Sequence, residues 1–410
     1  MLRSYRRIFE VPDLLPILIW SMLARLHLPG MPIALTFLVA DWTGSYGLAG
    51  IAVGALTLGN AIAGPLRGRM ADRGATDRIM VLCGLVFASG LTVIALLPAA
   101  LWWASVPLAL ATGLFQPPAG QVARALWPRL TTGSVRQTMY ATESTVQELL
   151  FVVGPLLAAA MVAVSGGRVA VLVLAGVSLS SSIAFALVLR RTGHAGAVVP
   201  EGGPQSGPRR SLLRSRSLIL LFALMLLLVA GLGAVDLVIV AWGRELGSPG
   251  VTGGLAAIWA LGSAVGGFVA GALTRPPRLA RRAAAAALGV AVLVPLLPPF
   301  TSLSPWLISP VLFAAGLAIA PTLAAATSLI GEIAPEERRA EAFGWLNTAV
   351  ATGLAGSAPV AGWLLDVAGV AAGVGAAAVA MALAAVLSLL VPGPPGAAGA
   401  AAAPEPDRAA

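Results

Sequence analysis

The sequence predicts an all-α polytopic membrane protein with twelve transmembrane helices, arranged as two six-helix repeats with both termini in the cytoplasm. Of its 410 residues, 58% are hydrophobic and 10% are charged, whereas soluble chains carry about 25% charged residues. Apolar runs of about 20 residues, long enough to cross a bilayer, recur along the chain. Short segments that contain arginine separate these runs. Together the three observations exclude a soluble protein.

The predicted spans follow the apolar runs in chain order. They are residues 14–40, 45–67, 78–97, 101–126, 137–164, 168–190, 216–241, 249–274, 279–298, 303–331, 338–365 and 369–391. The start has the basic residues of a signal peptide (Arg3, Arg6 and Arg7), but its apolar run continues to about Ala40 without a small-residue cleavage site. It therefore predicts an uncleaved first helix.

Arginine alone supplies the positive charge, because the 26 basic residues include no lysine. With the N-terminus inside, 23 of the 26 arginines fall on the cytoplasmic side, Arg168 and Arg244 fall outside, and Arg25 lies within a helix. This distribution is the positive-inside pattern. A net charge of +9 also occurs in nucleic-acid-binding proteins, but these need a clustered basic face. The scattered arginines exclude that class.

The chain divides into four predicted parts. Residues 1–192 form an N-terminal six-helix bundle, and 193–213 form a cytoplasmic linker rich in Gly, Pro and Ser. Residues 214–392 form the C-terminal bundle, and the Ala, Gly and Pro-rich tail 393–410 is predicted to be disordered.

Catalytic and cofactor sites are not predicted. Cys83 is the only cysteine, and His27 and His194 lie far apart in the sequence, so neither a disulfide nor a metal site is indicated. The chain has no phosphate-binding loop and no long segment outside the membrane. We therefore expect no enzyme activity, no metal and no cofactor.

One polar segment has a recognisable pattern. Residues 64–78 read Gly-Pro-Leu-Arg-Gly-Arg-Met-Ala-Asp-Arg-Gly-Ala-Thr-Asp-Arg. Gly64 and Gly68 share one helix face and permit close helix approach, and Asp72 can accept from a neighbouring helix N-terminus. The segment resembles the helix 2–3 loop signature of the major facilitator superfamily (MFS), to which Gly68, Asp72, Arg73 and Arg78 conform.

This resemblance extends from about Pro12 to Pro392 and implies the MFS fold. In that family the cluster formed here by Gly64, Gly68, Asp72, Arg73 and Arg78 latches the cytoplasmic side shut in one conformation. The alternative is a positive loop that only fixes orientation. The second half repeats the frame, with Gly267 and Gly271 in place of the two glycines and Arg275 in place of Asp72.

Four ionisable residues within predicted spans are candidates for a functional role, since such groups are costly in a membrane and usually functional. Arg25 and Glu148 both fall near the bilayer centre, and we predict that they pair, either structurally or as a proton-linked switch. Asp236 lies toward the outer end of its helix, at the cavity mouth or in contact with solvent. Glu143 is interpreted as a partner of the latch arginines or as a cavity residue.

Neutral polar residues supply candidates for the cavity lining. Gln116, Gln147 and Asn347 lie near mid-depth, either as ligands or as interhelical hydrogen-bonding groups. Trp259 and Phe115 suit an apolar substrate. Gly154-Pro155 resembles the helix 5 Gly-Pro motif of the exporter branch of the superfamily, although helix 4 lacks a mid-membrane arginine.

The resemblance implies a secondary transporter that is surrounded by the lipid bilayer and works as a monomer. The arginine-only, alanine-rich composition indicates the bacterial cytoplasmic membrane. Our first choice is export of a small, fairly apolar molecule in exchange for protons. Uptake or facilitated diffusion of a polar metabolite is the alternative. A membrane sensor or scaffold with the same fold, which does not transport, is a third.

Overall fold

A computed structural model describes residues 8, 10–196, 211–246, 249–272 and 278–391. The predicted tail and most of the predicted linker lie outside these residues, as do Arg275 and the three arginines at positions 3, 6 and 7. We refer to the described residues up to 196 as the first half and to those from 211 as the second half.

Long helices joined by short turns make up the first half. They are α1 (Leu14–Leu23), α2 (His27–Thr43), α3 (Tyr46–Asp72), α4 (Thr76–Leu96), α5 (Ser105–Leu114), α6 (Ala119–Leu130) and α7 (Gly133–Arg191). A short 3-10 helix, Ala99–Ala104, precedes α5.

The second half has the same character. Its helices are α8 (Arg216–Glu245), α9 (Pro249–Ala272), α10 (Leu279–Leu293), α11 (Pro305–Gly316), α12 (Ile319–Ile333), α13 (Arg339–Ala368) and α14 (Val370–Leu389). Short 3-10 helices lie at Leu212–Arg214, Val294–Leu296 and Glu336–Arg338.

Eleven helical stretches of the described residues are long and apolar enough to cross a membrane, one fewer than the sequence predicts. The predicted fifth and sixth spans fall together in α7, a helix of 59 residues. At about 1.5 Å per residue it would be roughly 90 Å long if straight, about three times the hydrocarbon thickness. It breaks at Gly166, whose φ of 79° and ψ of 165° are not helical and favour glycine.

The contacts of α7 show that it reverses direction at this break. Before Gly166 it runs parallel to α1 and α2, since Arg25 pairs with Glu143 and Gly167 lies against Leu38. After Gly166 it runs antiparallel to α4, because Ser182 lies against Gly84 and Arg190 pairs with Asp77.

Both halves contain an interrupted helix at the corresponding place. In the first half α5 and α6 are separated at residues 115–118, and in the second α11 and α12 are separated at residues 317–318. In each half, a glycine of the interrupted helix allows it to pack closely against a long neighbouring helix. A Cβ added to Gly113 would lie 2.1 Å from the carbonyl oxygen of Leu56 in α3, and one added to Gly316 would lie 2.7 Å from that of Trp259 in α9.

The buried apolar side chains show where the two halves meet. One cluster contains residues of both, including Tyr140 from the first half and Phe343 from the second. A second cluster, which includes Leu35, Leu38 and Leu91, consists of first-half residues alone. The halves therefore share a core at one end of the bundle.

Candidate functional site

Asp72, the last residue of α3, joins the two halves. Its Oδ1 accepts a hydrogen bond from the backbone N–H of Ala340 at 2.9 Å, and its Oδ2 accepts one from Glu341 at 2.7 Å. These donors lie in the first turn of α13, where N–H groups lack partners within the helix and the helix dipole favours an anion. The carboxylate thus caps a helix of the opposite half. We call this end of the bundle the latch end.

Arginines reinforce this contact through the side chain of Glu341, which is only 1% exposed. Arg69 of α3, in the first half, donates to Glu341 at 2.7 Å. Arg338, in the same half as Glu341, pairs with Glu341 at 2.7 Å. Arg73 and Arg78 are exposed, and no ion pair joins either one to another described residue. Of the two arginines that pair with Glu341, Arg69 is the one that comes from the other half.

Small residues bring α3 and α13 into backbone contact at the latch end. A Cβ added to Gly68 would lie 2.1 Å from the carbonyl oxygen of Ala340, and one added to Gly344 would lie 2.4 Å from that of Gly64. Asn347 lies on the same seam, with its Nδ2 at 3.7 Å from a Cβ added to Gly64. These distances place the predicted glycine face directly against the other half.

The same two helices separate toward the opposite end, which we call the open end. Thr348 of α13 still donates to the carbonyl oxygen of Ala61 in α3 at 2.6 Å. Farther along, a Cβ added to Gly54 of α3 or to Gly356 of α13 would meet nothing within 4 Å. The seam between the halves is closed at one end and open at the other.

A second seam at the latch end joins α7 to α9. A Cβ added to Gly267 would lie 2.6 Å from Oγ1 of Thr145, and Oγ1 of Thr138 donates to the carbonyl oxygen of Gly271 at 2.9 Å. Gly267 and Gly271 thus contact the first half as Gly64 and Gly68 contact the second. Arg275, which takes the place of Asp72 in the repeat, lies outside the described residues.

The buried charges form a cluster around Glu143. Its Oε1 accepts from Arg25 at 2.8 Å and from Arg124 at 2.9 Å, and its Oε2 accepts from the indole of Trp127 at 2.6 Å. Gln147 also accepts from Arg25, at 3.0 Å. The side chains of Glu143 and Arg25 are 2% and 5% exposed. Their charges compensate each other, as buried charges require.

This arrangement corrects the predicted pairing of Arg25 with Glu148. Residues four apart share a helix face, so Glu143 and Gln147 reach the same guanidinium, whereas Glu148 is rotated away. Glu143 is therefore neither a partner of Arg73 or Arg78 nor a free cavity carboxylate. Arg124 is a second cation of this cluster.

Arg67 has a role that the sequence analysis missed. It is 4% exposed, although the charge pattern places it in a cytoplasmic loop. Its guanidinium donates to the carbonyl oxygens of Gly113, Leu114 and Gln116 at 2.6–3.3 Å, and to Oδ1 of Asn60 at 2.5 Å. These carbonyls lie where α5 ends, and backbone groups at membrane depth need such partners. Through its backbone, Gln116 is thus part of this break.

Glu148 and Asp236 lie on opposite sides of the opening between the halves. Glu148 of α7 is half-buried and Asp236 of α8 is exposed, and the two are within electrostatic range of each other. Trp259 of α9 lies near Asp236. No ion pair joins either carboxylate to an arginine among the residues that the structure describes.

The Gly154-Pro155 pair packs within its own half. A Cβ added to Gly154 would lie 2.4 Å from Cγ of Pro29 in α2, so glycine permits this close approach. Immediately before it, Phe151, Val152 and Val153 are 53%, 42% and 44% exposed. Three consecutive residues span about 200° of a helix, so this part of α7 is uncovered on more than one side.

A comparison with family profiles decides what this architecture is. The profile described as Major Facilitator Superfamily matches residues 18–313 and again residues 221–409. The chain belongs to the Major Facilitator Superfamily. The two overlapping matches agree with an internal repeat of the kind found in MFS proteins.

Solved structures agree with this assignment at the level of the fold. A bacterial homologue of the iron transporter ferroportin, in an outward-facing state, has a TM-score of 0.72 and 13% identity, and the alignment covers 92% of this chain and 98% of that one. The human organic anion transporter MFSD10 (TETRAN) has a TM-score of 0.66 and 18% identity, with 92% and 99% coverage. The MFS transporter FucP, in its outward conformation, has a TM-score of 0.65 and 15% identity, with 93% and 99% coverage. None of the curated proteins compared with the chain matches it.

In MFS proteins the substrate site lies near the midplane, between the two repeats. Glu148 and Asp236 come from different halves of this chain, one from α7 and the other from α8. Sequence reasoning missed the roles of Arg67 and Arg124. One usable signal was the spacing of Asn60 and Arg67, which are seven residues apart and therefore share a helix face.

Proposed function

We propose that this MFS protein is a secondary transporter that works by alternating access, with the latch end in the cytoplasm and the open end outside. The arginine distribution supports this orientation, and the reversal of α7 at Gly166 supports twelve membrane crossings. Two of the similar solved structures are outward-facing, which agrees with an outward-open state. We place the protein in the bacterial cytoplasmic membrane.

One observation carries the proposal. The halves are joined at the latch end and separate toward the open end, so that a solute reaches Glu148 and Asp236 from the open end. Transport by alternating access requires a second state in which the latch end opens and the open end closes. Across the halves, Asp72 bonds to Ala340 and Glu341, and Arg69 bonds to Glu341. Opening of the latch end requires release of these contacts together with those of Thr138 and Arg136.

Proton coupling is proposed to act through Glu148, with Asp236 facing it. Uncompensated carboxylates within a membrane are costly, and a bound proton or cation relieves that cost. The two come from different halves, so the free energy of having both ionised changes as the halves move. Arg25 does not take part directly, because Glu143 already neutralises it.

The proposed cargo is a small, fairly apolar molecule moved outward in exchange for protons. Apolar side chains dominate the uncovered surface around the carboxylates, including Phe151 and Leu354, which are 53% and 46% exposed. The resemblance of Gly154-Pro155 to the exporter motif supports the outward direction.

The test uses the purified chain in proteoliposomes. A thermal-shift screen of drugs, dyes, sugars and amino acids, at acidic and at alkaline pH, first identifies a ligand, because a molecule that binds the folded state stabilises it. Transport of that ligand is then driven by an imposed pH gradient. We expect Glu148→Gln to bind the ligand but to lose the response to the gradient.

The matched control is Glu245→Gln, which removes an exposed carboxylate at the end of α8 and should behave like the parent. If Glu148→Gln retains both transport and its pH dependence, coupling through Glu148 is wrong. If only sugars or amino acids bind, the proposal of an apolar cargo is wrong.

A further inference from the structure

A groove runs along the outside of the first half, between α4 and the second part of α7. It has a volume of about 460 Å³. It is lined by Arg78, Val81, Leu82, Leu85, Ile183, Ala186, Leu187 and Arg190. None of these residues belongs to the latch contacts, the Glu143 cluster or the opening between the halves.

The groove has a polar end and an apolar body. On α4, Arg78 comes first, and the apolar residues that follow reach Leu85, seven residues on. On α7 the order is reversed, because the helices are antiparallel, and Arg190 lies beside Arg78 at the latch end. At about 1.5 Å per residue the apolar part extends roughly 10 Å into the membrane. Leu82, Leu85 and Leu187 are 51%, 46% and 46% exposed, so they face the surroundings of the bundle.

The charge at the polar end is positive. Arg78 is exposed and makes no ion pair with a described residue, and the side chain of Arg190 is 58% exposed although it pairs with Asp77. Asp77 cancels one of the two guanidinium charges and leaves one. The neighbouring Arg191 is also exposed, so the field at this end attracts anions.

We propose that this groove is a binding site for one anionic phospholipid. The headgroup phosphate lies between Arg78 and Arg190, and an acyl chain lies along Leu82, Leu85 and Leu187. A membrane-facing apolar channel that ends in two arginines complements a molecule with an anionic head and a hydrocarbon tail. A soluble anion would leave the leucines uncovered. This site is separate from the transport site and does not depend on the proposed direction or cargo.

The experiment is native mass spectrometry of the full-length chain in detergent, titrated with phosphatidylglycerol or with phosphatidylcholine. We expect one tightly bound phosphatidylglycerol, displaced neither by phosphatidylcholine nor by inorganic phosphate. Arg78→Gln should weaken binding roughly fivefold, the effect of one arginine near an anionic headgroup. Leu82→Trp, which fills the apolar part, should also weaken it while leaving both arginines in place.

Arg281→Gln is the matched control. Arg281 is exposed and stands in the second half where Arg78 stands in the first, but it does not line this groove. Equal binding of both lipids, or an equal loss for Arg281→Gln, would show a non-specific charge effect and overturn the site. Displacement by inorganic phosphate, or unchanged binding in Leu82→Trp, would show that no acyl chain is held there. Formation of a dimer that buries the groove would also overturn the site, because a second copy of this chain would then occupy it.

Discussion

Replacing Asp72 with Asn should shift the equilibrium between the closed and open states of the latch. The carboxylate accepts two backbone hydrogen bonds from the first turn of α13, whereas the amide of Asn offers one carbonyl acceptor and no charge. Loss of one hydrogen bond to a charged group costs about 1.5–3 kcal/mol, and loss of the helix-dipole interaction costs about 0.3–1 kcal/mol more. The closed state should therefore weaken by about 2–4 kcal/mol, or roughly 30- to 700-fold.

The assay is a distance measurement between spin labels in the two halves at the latch end. Labels at positions 73 and 281 are suitable, because Arg73 and Arg281 are exposed, and Cys83 is buried and should not compete for the reagent. We expect Asp72→Asn to add or enlarge a population at longer distance.

The matched control is Asp77→Asn. Asp77 lies in the same polar segment but pairs with Arg190 of its own half, so its loss should not separate the halves. If Asp72→Asn gives the parental distance distribution, the two hydrogen bonds do not hold the latch and the reasoning fails.

Two further predictions concern packing and buried charge. Glu143→Gln should lower the free energy of unfolding by about 3–5 kcal/mol, because it leaves the buried guanidinium of Arg25 without its anion. Glu148→Gln breaks no ion pair and should lower it by less than about 1 kcal/mol. Unfolding in mixed micelles with increasing SDS measures both values, and equal losses would contradict the assignment. Gly68→Ala should disfavour the closed latch in the same spin-label assay, since its Cβ would lie 2.1 Å from the carbonyl oxygen of Ala340. Gly54→Ala, in open space on the same helix, is its control, and a normal closed population in Gly68→Ala would contradict the close packing.

Much of the fold could be predicted from hydrophobicity and charge alone. Bilayer thickness sets the length of each span, and the helix period puts Gly64 and Gly68 on one face. The sequence therefore indicates the surface that meets the other half. The position of Asp72 just beyond the end of its predicted span also indicates a helix-capping role, since N–H groups at the start of a helix have no partners within that helix.

Side-chain partners could not be predicted in the same way. Depth in the membrane matched Arg25 to Glu148, and the rotation of α7 about its axis selects Glu143 instead. Loop charge counting likewise treated Arg67 as a cytoplasmic residue. Its true partners are carbonyls freed where α5 ends, and a break in a neighbouring helix is not visible in the pattern around Arg67 itself.

The two seams at the latch end differ in chemistry, and that difference has a mechanical consequence. A carboxylate and an ion pair of 2.7 Å hold α3 to α13, whereas α7 is held to the second half by the hydroxyl of Thr138, which also bonds to Ser134 of its own helix, and by a longer ion pair of 4.0 Å between Arg136 and Glu332. When the halves separate, the edge that is held by the weaker polar contacts should part first. We therefore expect the first passage from the latch end to open sideways, beside Thr138, before the two halves part along their full width.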